Sequence, residues 1–239
     1  MTATFVLVHS PFLGPASWQP VAEELGRCGH RAVIPPLVRE DEDGLTSPRH
    51  CAAAVADAIR DVDGPLVLVG HSGGGLLLPA IAQASSAPVS HLIFVDSGLP
   101  VESGDTRAAP SEFLDFLRGL SVDGILPPWS DWWGTDVMAD LVPDERMRTR
   151  LVDEMPLVPI SYIERSVPSP FGWDRVECGY LLLSEAYISE ADEAVRRGWP
   201  IGGISCAQHL DIVVRPEIVA DALLDFLSPG AGRPEFGNS

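Results

Sequence analysis

The chain has 239 residues, 46% hydrophobic and 21% charged, enough for one globular domain with a sizeable core. Sixteen Lys and Arg against 34 Asp and Glu give a net charge of −18. That balance argues against a nucleic-acid partner and against docking on an anionic membrane surface. Cys28, Cys51, Cys178 and Cys206 lie far apart with no C-x-x-C pair, so neither a metal site nor a redox motif is expected, and free thiols in a reducing compartment are. No apolar run is long enough to span a bilayer, and the start Met1-Thr2-Ala3-Thr4-Phe5 lacks a basic segment leading into a long apolar one. The expected location is the cytoplasm.

In chain order, Phe5-Val6-Leu7-Val8 reads as a buried strand and Trp18 to Cys28 as a helix stopped by Gly29. Arg31 to Ile34 is a second strand, 37–48 an acidic loop, and Cys51 to Asp61 a helix. A third strand, Leu66 to Val69, leads into a helix over Gly73 to Ala84, and His91 to Val95 is a fourth strand. The alternation breaks after Pro100. Helical stretches at Ser111–Gly119, Asp136–Leu141 and Asp144–Glu154 follow, separated by Pro-rich turns. It resumes with strand Tyr180–Leu183, helix Ala191–Arg197, strand Ile201–Ser205 and a closing helix Pro216–Leu227. Strands alternating with helices predict an α/β fold with a mostly parallel sheet. Residues 1–100 and 179–227 would form the core, 101–178 a helical lid, and 228–239 a disordered tail.

Gly70-His71-Ser72-Gly73-Gly74 matches G-x-S-x-G between an apolar strand and an apolar helix, the setting a nucleophile elbow requires. Small neighbours let the turn lift the Ser72 hydroxyl clear, and the Gly73 amide can face a developing oxyanion. A solvated serine on a glycine-rich turn is the bland alternative. A serine hydroxyl needs a base. Of His9, His30, His50, His71, His91 and His209, only His209 falls between the last strand and the last helix.

Over about residues 4 to 227 the chain resembles the α/β-hydrolase superfamily. Val8-His9-Ser10-Pro11 through Trp18 resembles the H-G-x(7)-W opening of plant-type esterases and hydroxynitrile lyases, and Leu25 to Ala32 is similar to their following L-x-x-x-G-H-x-V run. The resemblance implies a triad acid after the penultimate strand, where Glu185 is the next carboxylate. The usual Asp a few residues beyond that strand is absent, Tyr187 and Ile188 occupying the stretch. Asp96, ending the strand His91–Val95, is the second candidate, because some superfamily members draw their acid from that strand end.

The resemblance also puts the second oxyanion donor near Pro11, which has no N–H; Phe12 could supply it instead. Ser10 stands where such esterases have Gly and the lyases have a Thr that acts on the substrate, yet the Lys that those lyases carry after the catalytic His is Leu210 here. Trp129, Trp132 and Trp133, half of the six tryptophans, sit in the insertion and suggest an apolar or aromatic substrate, or else a lid glued to the sheet. The expectation is a cofactor-independent serine hydrolase of an ester, lactone or thioester, monomeric or homodimeric. A lyase or cyclase using the same Ser and His, and a non-catalytic small-molecule binder, remain as alternatives.

Overall fold

The computed structural model describes residues 3–39, 44–134 and 137–228. The chain opens with β1 (Thr4–Val8), α1 (Gln19–Arg27), β2 (Arg31–Val33), α2 (Pro48–Ala58), β3 (Leu66–His71), α3 (Leu78–Ala84) and β4 (Val89–Val95). Every residue of β1 and β3 is buried, as unbroken apolar runs should be in a parallel sheet covered on both faces. α2 starts earlier than expected because Ser47 caps it, accepting from the His50 amide at 3.2 Å, with Pro48 in the first turn. The helix expected over Gly73–Ala84 begins as a 3-10 segment, Ser72–Leu77, and becomes α-helical only at Leu78. Three successive glycines and Pro79, which has no amide to donate, weaken the α form there.

The segment between β4 and the next sheet strand holds β5 (Gly104–Arg107), α4 (Ser111–Leu120), β6 (Ile125–Leu126), α5 (Val137–Leu141), α6 (Glu145–Asp153), β7 (Val158–Pro159), α7 (Ile160–Ile163) and β8 (Ser166–Ser169). α4, α5 and α6 fall on the expected helical stretches, and the antiparallel ribbons β5–β8 and β6–β7 of the same segment were not expected. Strands of two to four residues are too short to show an alternating pattern.

The core resumes with β9 (Glu177–Leu182), earlier than expected, then α8 (Ile188–Arg196), β10 (Ile201–Gly203), α9 (Asp211–Val214) and α10 (Pro216–Asp225). Asp136 and, Ser228 apart, the tail expected at 228–239 lie outside the described residues.

Six strands form one sheet in the order β10-β9-β4-β3-β1-β2, and all five pairings are parallel. Alternate residues feed two cores. Phe5, Leu7, Val67, Val69, Ile93 and Val95 pack with Val21 and Leu25 of α1 and Val219 and Leu223 of α10. Val6, Val8, Leu66, Leu68, Leu92 and Phe94 pack with Ala52 and Val55 of α2 and Leu78 and Ile81 of α3.

The register lines up the carboxyl ends. Val8 lies beside Gly70, His71 beside Val95, Val95 beside Leu181, and Leu182 beside Gly203. Ser10, Ser72, Asp96 and Ser184 therefore leave the sheet along one edge, where ligands bind in open parallel sheets.

Candidate active site

Ser72 follows β3 with φ +53°, a left-handed backbone that is costly for a residue with a Cβ. Close approach imposes the glycines around it. A Cβ on Gly70 would lie 2.4 Å from Gly75 Cα, and one on Gly74 would lie 2.5 Å from the His9 carbonyl oxygen. One on Gly75 would lie 2.1 Å from Ser97 Oγ, and one on Gly73 would lie 2.9 Å from Pro11 Cδ. The loop after β1 is thus pressed onto the serine turn. Trp18 anchors that loop from below: its indole is fully buried and donates to the Val8 carbonyl at 3.1 Å.

Asp96 follows β4, also at positive φ (+42°), with its side chain fully buried. Its Oδ1 accepts from the amides of Leu183 (2.7 Å) and Ser184 (3.0 Å). Its Oδ2 accepts from the Ser184 hydroxyl (2.5 Å), the Ser184 amide (3.0 Å) and His209 Nδ1 (3.0 Å). Burial alone would raise this carboxyl, but the hydrogen bonds and charge of His209 and the bonds from Ser184 outweigh it and hold Asp96 below the usual range. An ionised Asp96 fixes the His209 proton on Nδ1 and leaves Nε2 with its lone pair.

His209 sits on the turn between β10 and α9. Asp211 accepts from the Gln208 amide at 2.6 Å, and Arg215 ties Asp211 (2.6 Å) to the Cys206 carbonyl (3.1 Å). Cys206 takes φ +53°, so the segments carrying the candidate nucleophile, acid and base all contain a left-handed non-glycine residue. His71 donates from Nε2 to the His209 carbonyl at 2.9 Å, and its ring lies 4.4 Å from the His209 ring. Burial and the neighbouring His209 push His71 well below the ordinary imidazole value, so it stays neutral. The ring of Tyr187 also stacks on His209, with centroids 5.3 Å apart and planes 8° apart.

Glu185 is not brought to His209. It is exposed at the start of the short turn Glu185–Tyr187, and among the described residues no hydrogen bond or ion pair links it to the imidazole. The reason is local. β9 ends at Leu182, the amides of Leu183 and Ser184 turn in toward Asp96, and the next side chain passes outward. Ser184 and Tyr187, which hold Asp96 and stack on His209, were not singled out from the sequence. The first is detectable as the polar residue just past a strand that neighbours the strand ending in Asp96.

At the mouth, Ser10 is buried and the Phe12 amide donates to its hydroxyl at 3.3 Å. The tryptophans separate. Trp129 faces His209 with centroids 6.5 Å apart. Trp132 is buried, edge-on to Phe12 at 4.8 Å, and its indole donates to the Pro127 carbonyl. Trp133 is 47% exposed and stacks on Phe116, on the outside of the insertion. Among the described residues, no group of three or more His, Cys, Asp or Glu could hold a metal ion, and no helix is long and apolar enough to cross a membrane.

A parallel sheet with serine, aspartate and histidine turns along its carboxyl edge defines a hydrolase-type α/β enzyme. The chain belongs to the α/β hydrolase family, whose model matches residues 5–222, and relatives it resembles are named as esterases. A carbendazim-hydrolysing esterase from a Nocardioides species is 30% identical over 45% of this chain, a match covering 46% of that protein. Methylesterase 8 of Arabidopsis thaliana is 26% identical over 94% of this chain and 89% of its own. The fold is shared with an extracellular α/β-hydrolase from a Paenibacillus species, described as structurally and functionally homologous to tobacco salicylic acid binding protein 2. That match has a TM-score of 0.72 at 18% identity and covers 93% of this chain and 98% of that one.

Proposed function

We propose that the protein hydrolyses a carboxylic ester of an apolar or aromatic small molecule, with Ser72 as nucleophile, His209 as base and Asp96 as the acid that orients it. The observation that carries this reading is the 3.0 Å contact between His209 Nδ1 and a buried, multiply hydrogen-bonded Asp96 carboxylate, beside a serine held on a left-handed turn. His209 Nε2 takes the Ser72 proton as Oγ attacks the acyl carbon, and Asp96 stabilises the imidazolium that forms. The amides of Gly73 and Phe12 receive the oxyanion, with Ser10 giving up the Phe12 amide as the substrate oxygen arrives. His209 then protonates the departing alkoxide and activates water to release the acid.

Trp129 beside the base and Phe12 beside Trp132 support an apolar or aromatic substrate portion. Residues 101–178 act in this reading as the lid over that portion. Release of nitrophenol from short and medium acyl esters, by the wild type and Ser72→Ala side by side, tests it. Turnover lost in a folded Ser72→Ala variant is expected; turnover retained there would overturn the assignment.

A further inference from the structure

The loop after β1 is gripped from two sides. Toward the serine turn, Pro11 lies against Gly73, where an added Cβ would come within 2.9 Å of Pro11 Cδ. Toward the insertion, the loop meets the end of α6. The Ala16 amide donates to Glu154 Oε2 at 2.7 Å, and Leu13 shares an apolar core with Leu151 and Met155. The loop is also tied internally, with the Leu13 amide donating to the Ser10 carbonyl at 3.0 Å and the Ser17 amide to the Gly14 carbonyl at 3.1 Å. A pull at Ala16 is therefore felt at Phe12.

The contact is built from both partners. Pro15 has no amide, so Ala16 carries the first N–H of the 3-10 turn Pro15–Ser17, and Gly14 has no side chain to cap it. Glu154 supplies the acceptor from 138 residues away. It ends α6, where a carboxylate faces the negative end of the helix dipole, so α6 itself gains nothing from an acid there. Gly14 leaves the room. A Cβ on it would lie 2.5 Å from Glu154 Cβ and 2.7 Å from Glu154 Oε2, although its φ of −98° suits any residue.

Resting on the assignment of Ser72 as nucleophile and the Phe12 amide as an oxyanion donor, we propose that Glu154 is a positioning residue, through which the insertion holds the loop 10–17 and fixes the Phe12 amide relative to that of Gly73. The two amides belong to separate segments, so their spacing depends on what holds the loop. A hydrogen bond to a developing oxyanion requires its donor in place beforehand, and a drift of about 0.5 Å weakens it. Glu154 acts through Ala16 and the loop, not on the reacting atoms.

Glu154 is exposed, so its replacement should leave the fold intact. Glu154→Ala is expected to lower kcat on a nitrophenyl ester about ten-fold, with KM within about two-fold. Glu154→Gln keeps an acceptor for Ala16 and should restore kcat to within about two-fold of wild type. An alkyl trifluoromethyl ketone, which adds to Ser72 and places an oxyanion in the same hole, should bind Glu154→Ala about ten-fold more weakly. A contact that only steadied the fold would lower the urea midpoint and leave kcat and ketone affinity unchanged. Gly14→Ala, which wedges the two segments apart, should lose a similar factor, and the double variant with Glu154→Ala no more than the larger single loss.

Unchanged kcat in Glu154→Ala, a Glu154→Gln variant as slow as Glu154→Ala, or additive losses in the double variant would overturn the proposal. Failure of the underlying reading shows separately, before any Glu154 variant is compared. It would appear as wild-type turnover that survives Ser72→Ala, or as a wild type that the ketone does not inhibit.

Discussion

The Ser184 hydroxyl lies 2.5 Å from Asp96 Oδ2, on the same oxygen that meets His209 Nδ1. Asp96 stands at the end of β4, while the donors that hold it come from the end of β9. This division gives a direct test. Asp96→Asn would keep an oxygen for the inward amides of Leu183 and Ser184 and turn its NH2 toward His209. That arrangement drives the imidazole proton to Nε2, the wrong nitrogen for a base. A loss of kcat on the order of 10⁴ is expected for Asp96→Asn. Ser184→Ala should lose about ten-fold, and Glu185→Gln should stay within about two-fold, as an exposed side chain should. Steady-state kinetics on one nitrophenyl ester checks all three. A large loss in Glu185→Gln with none in Asp96→Asn would move the acid back to Glu185.

The glycines of the serine turn differ sharply in what surrounds them. A Cβ on Gly75 would lie 2.1 Å from Ser97 Oγ and 2.7 Å from Ser97 Cβ, and Ser97 is itself pinned, since its amide and carbonyl both bond the Tyr180 hydroxyl. Gly26, within α1, has nothing within 4 Å of its would-be Cβ. Gly75→Ala should therefore cost about 1–3 kcal/mol by overpacking. Gly26→Ala should gain about 0.5–1 kcal/mol from helix propensity. Urea midpoints of the two variants against wild type give the answer, and a neutral Gly75→Ala would mean that the turn is looser than described.

Much of this was legible in the sequence because it depends on local patterns. Apolar runs of four to six residues bounded by Gly and Pro mark β1, β3 and β4, and G-x-S-x-G marks a strand-to-helix turn whatever the distant contacts. Which carboxylate meets His209 was not legible, since Asp96 and Glu185 each follow a strand. What separates them is the direction in which the backbone leaves β9, and that is set by the amides of Leu183 and Ser184 reaching across to Asp96. Nor were the ribbons of the insertion legible, being pairings between residues about 30 to 65 positions apart with no periodicity of their own.

The tryptophans that composition groups together should behave as three different residues. Trp129→Ala, next to His209, should raise KM for aryl esters by roughly ten-fold through lost apolar contact. Trp133→Ala should leave kcat and KM within about two-fold, because its ring stacks on Phe116 at the surface. Trp132→Ala should lower the melting temperature as well as activity, since a buried ring of that size leaves a cavity costing about 3–5 kcal/mol. Equal effects on KM from Trp129→Ala and Trp133→Ala would remove the distinction.

Stability should fall on mild acidification, and two fully buried histidines contribute to the slope. Burial lowers His9 and His71 below the ordinary 6.5, His71 well below it. Below pH 6.5 the unfolded chain takes up protons at these positions that the folded protein declines. Their folded-state values are depressed, so the stability they allow is fully present above about pH 7.5 and erodes as pH falls through 6.5 toward those values. Each contributes about 1.4 kcal/mol per pH unit once the unfolded form is protonated and the folded form is not. Asp96, whose carboxyl is also lowered, adds its loss only further down, below its ordinary 3.8. Urea unfolding between pH 5 and 8 should show the decline, and His71→Gln should make it shallower by about one proton over pH 5 to 6.5. A slope that is unchanged in His71→Gln would mean that His71 takes up its proton in the folded state, in conflict with its complete burial against Trp18 and His209.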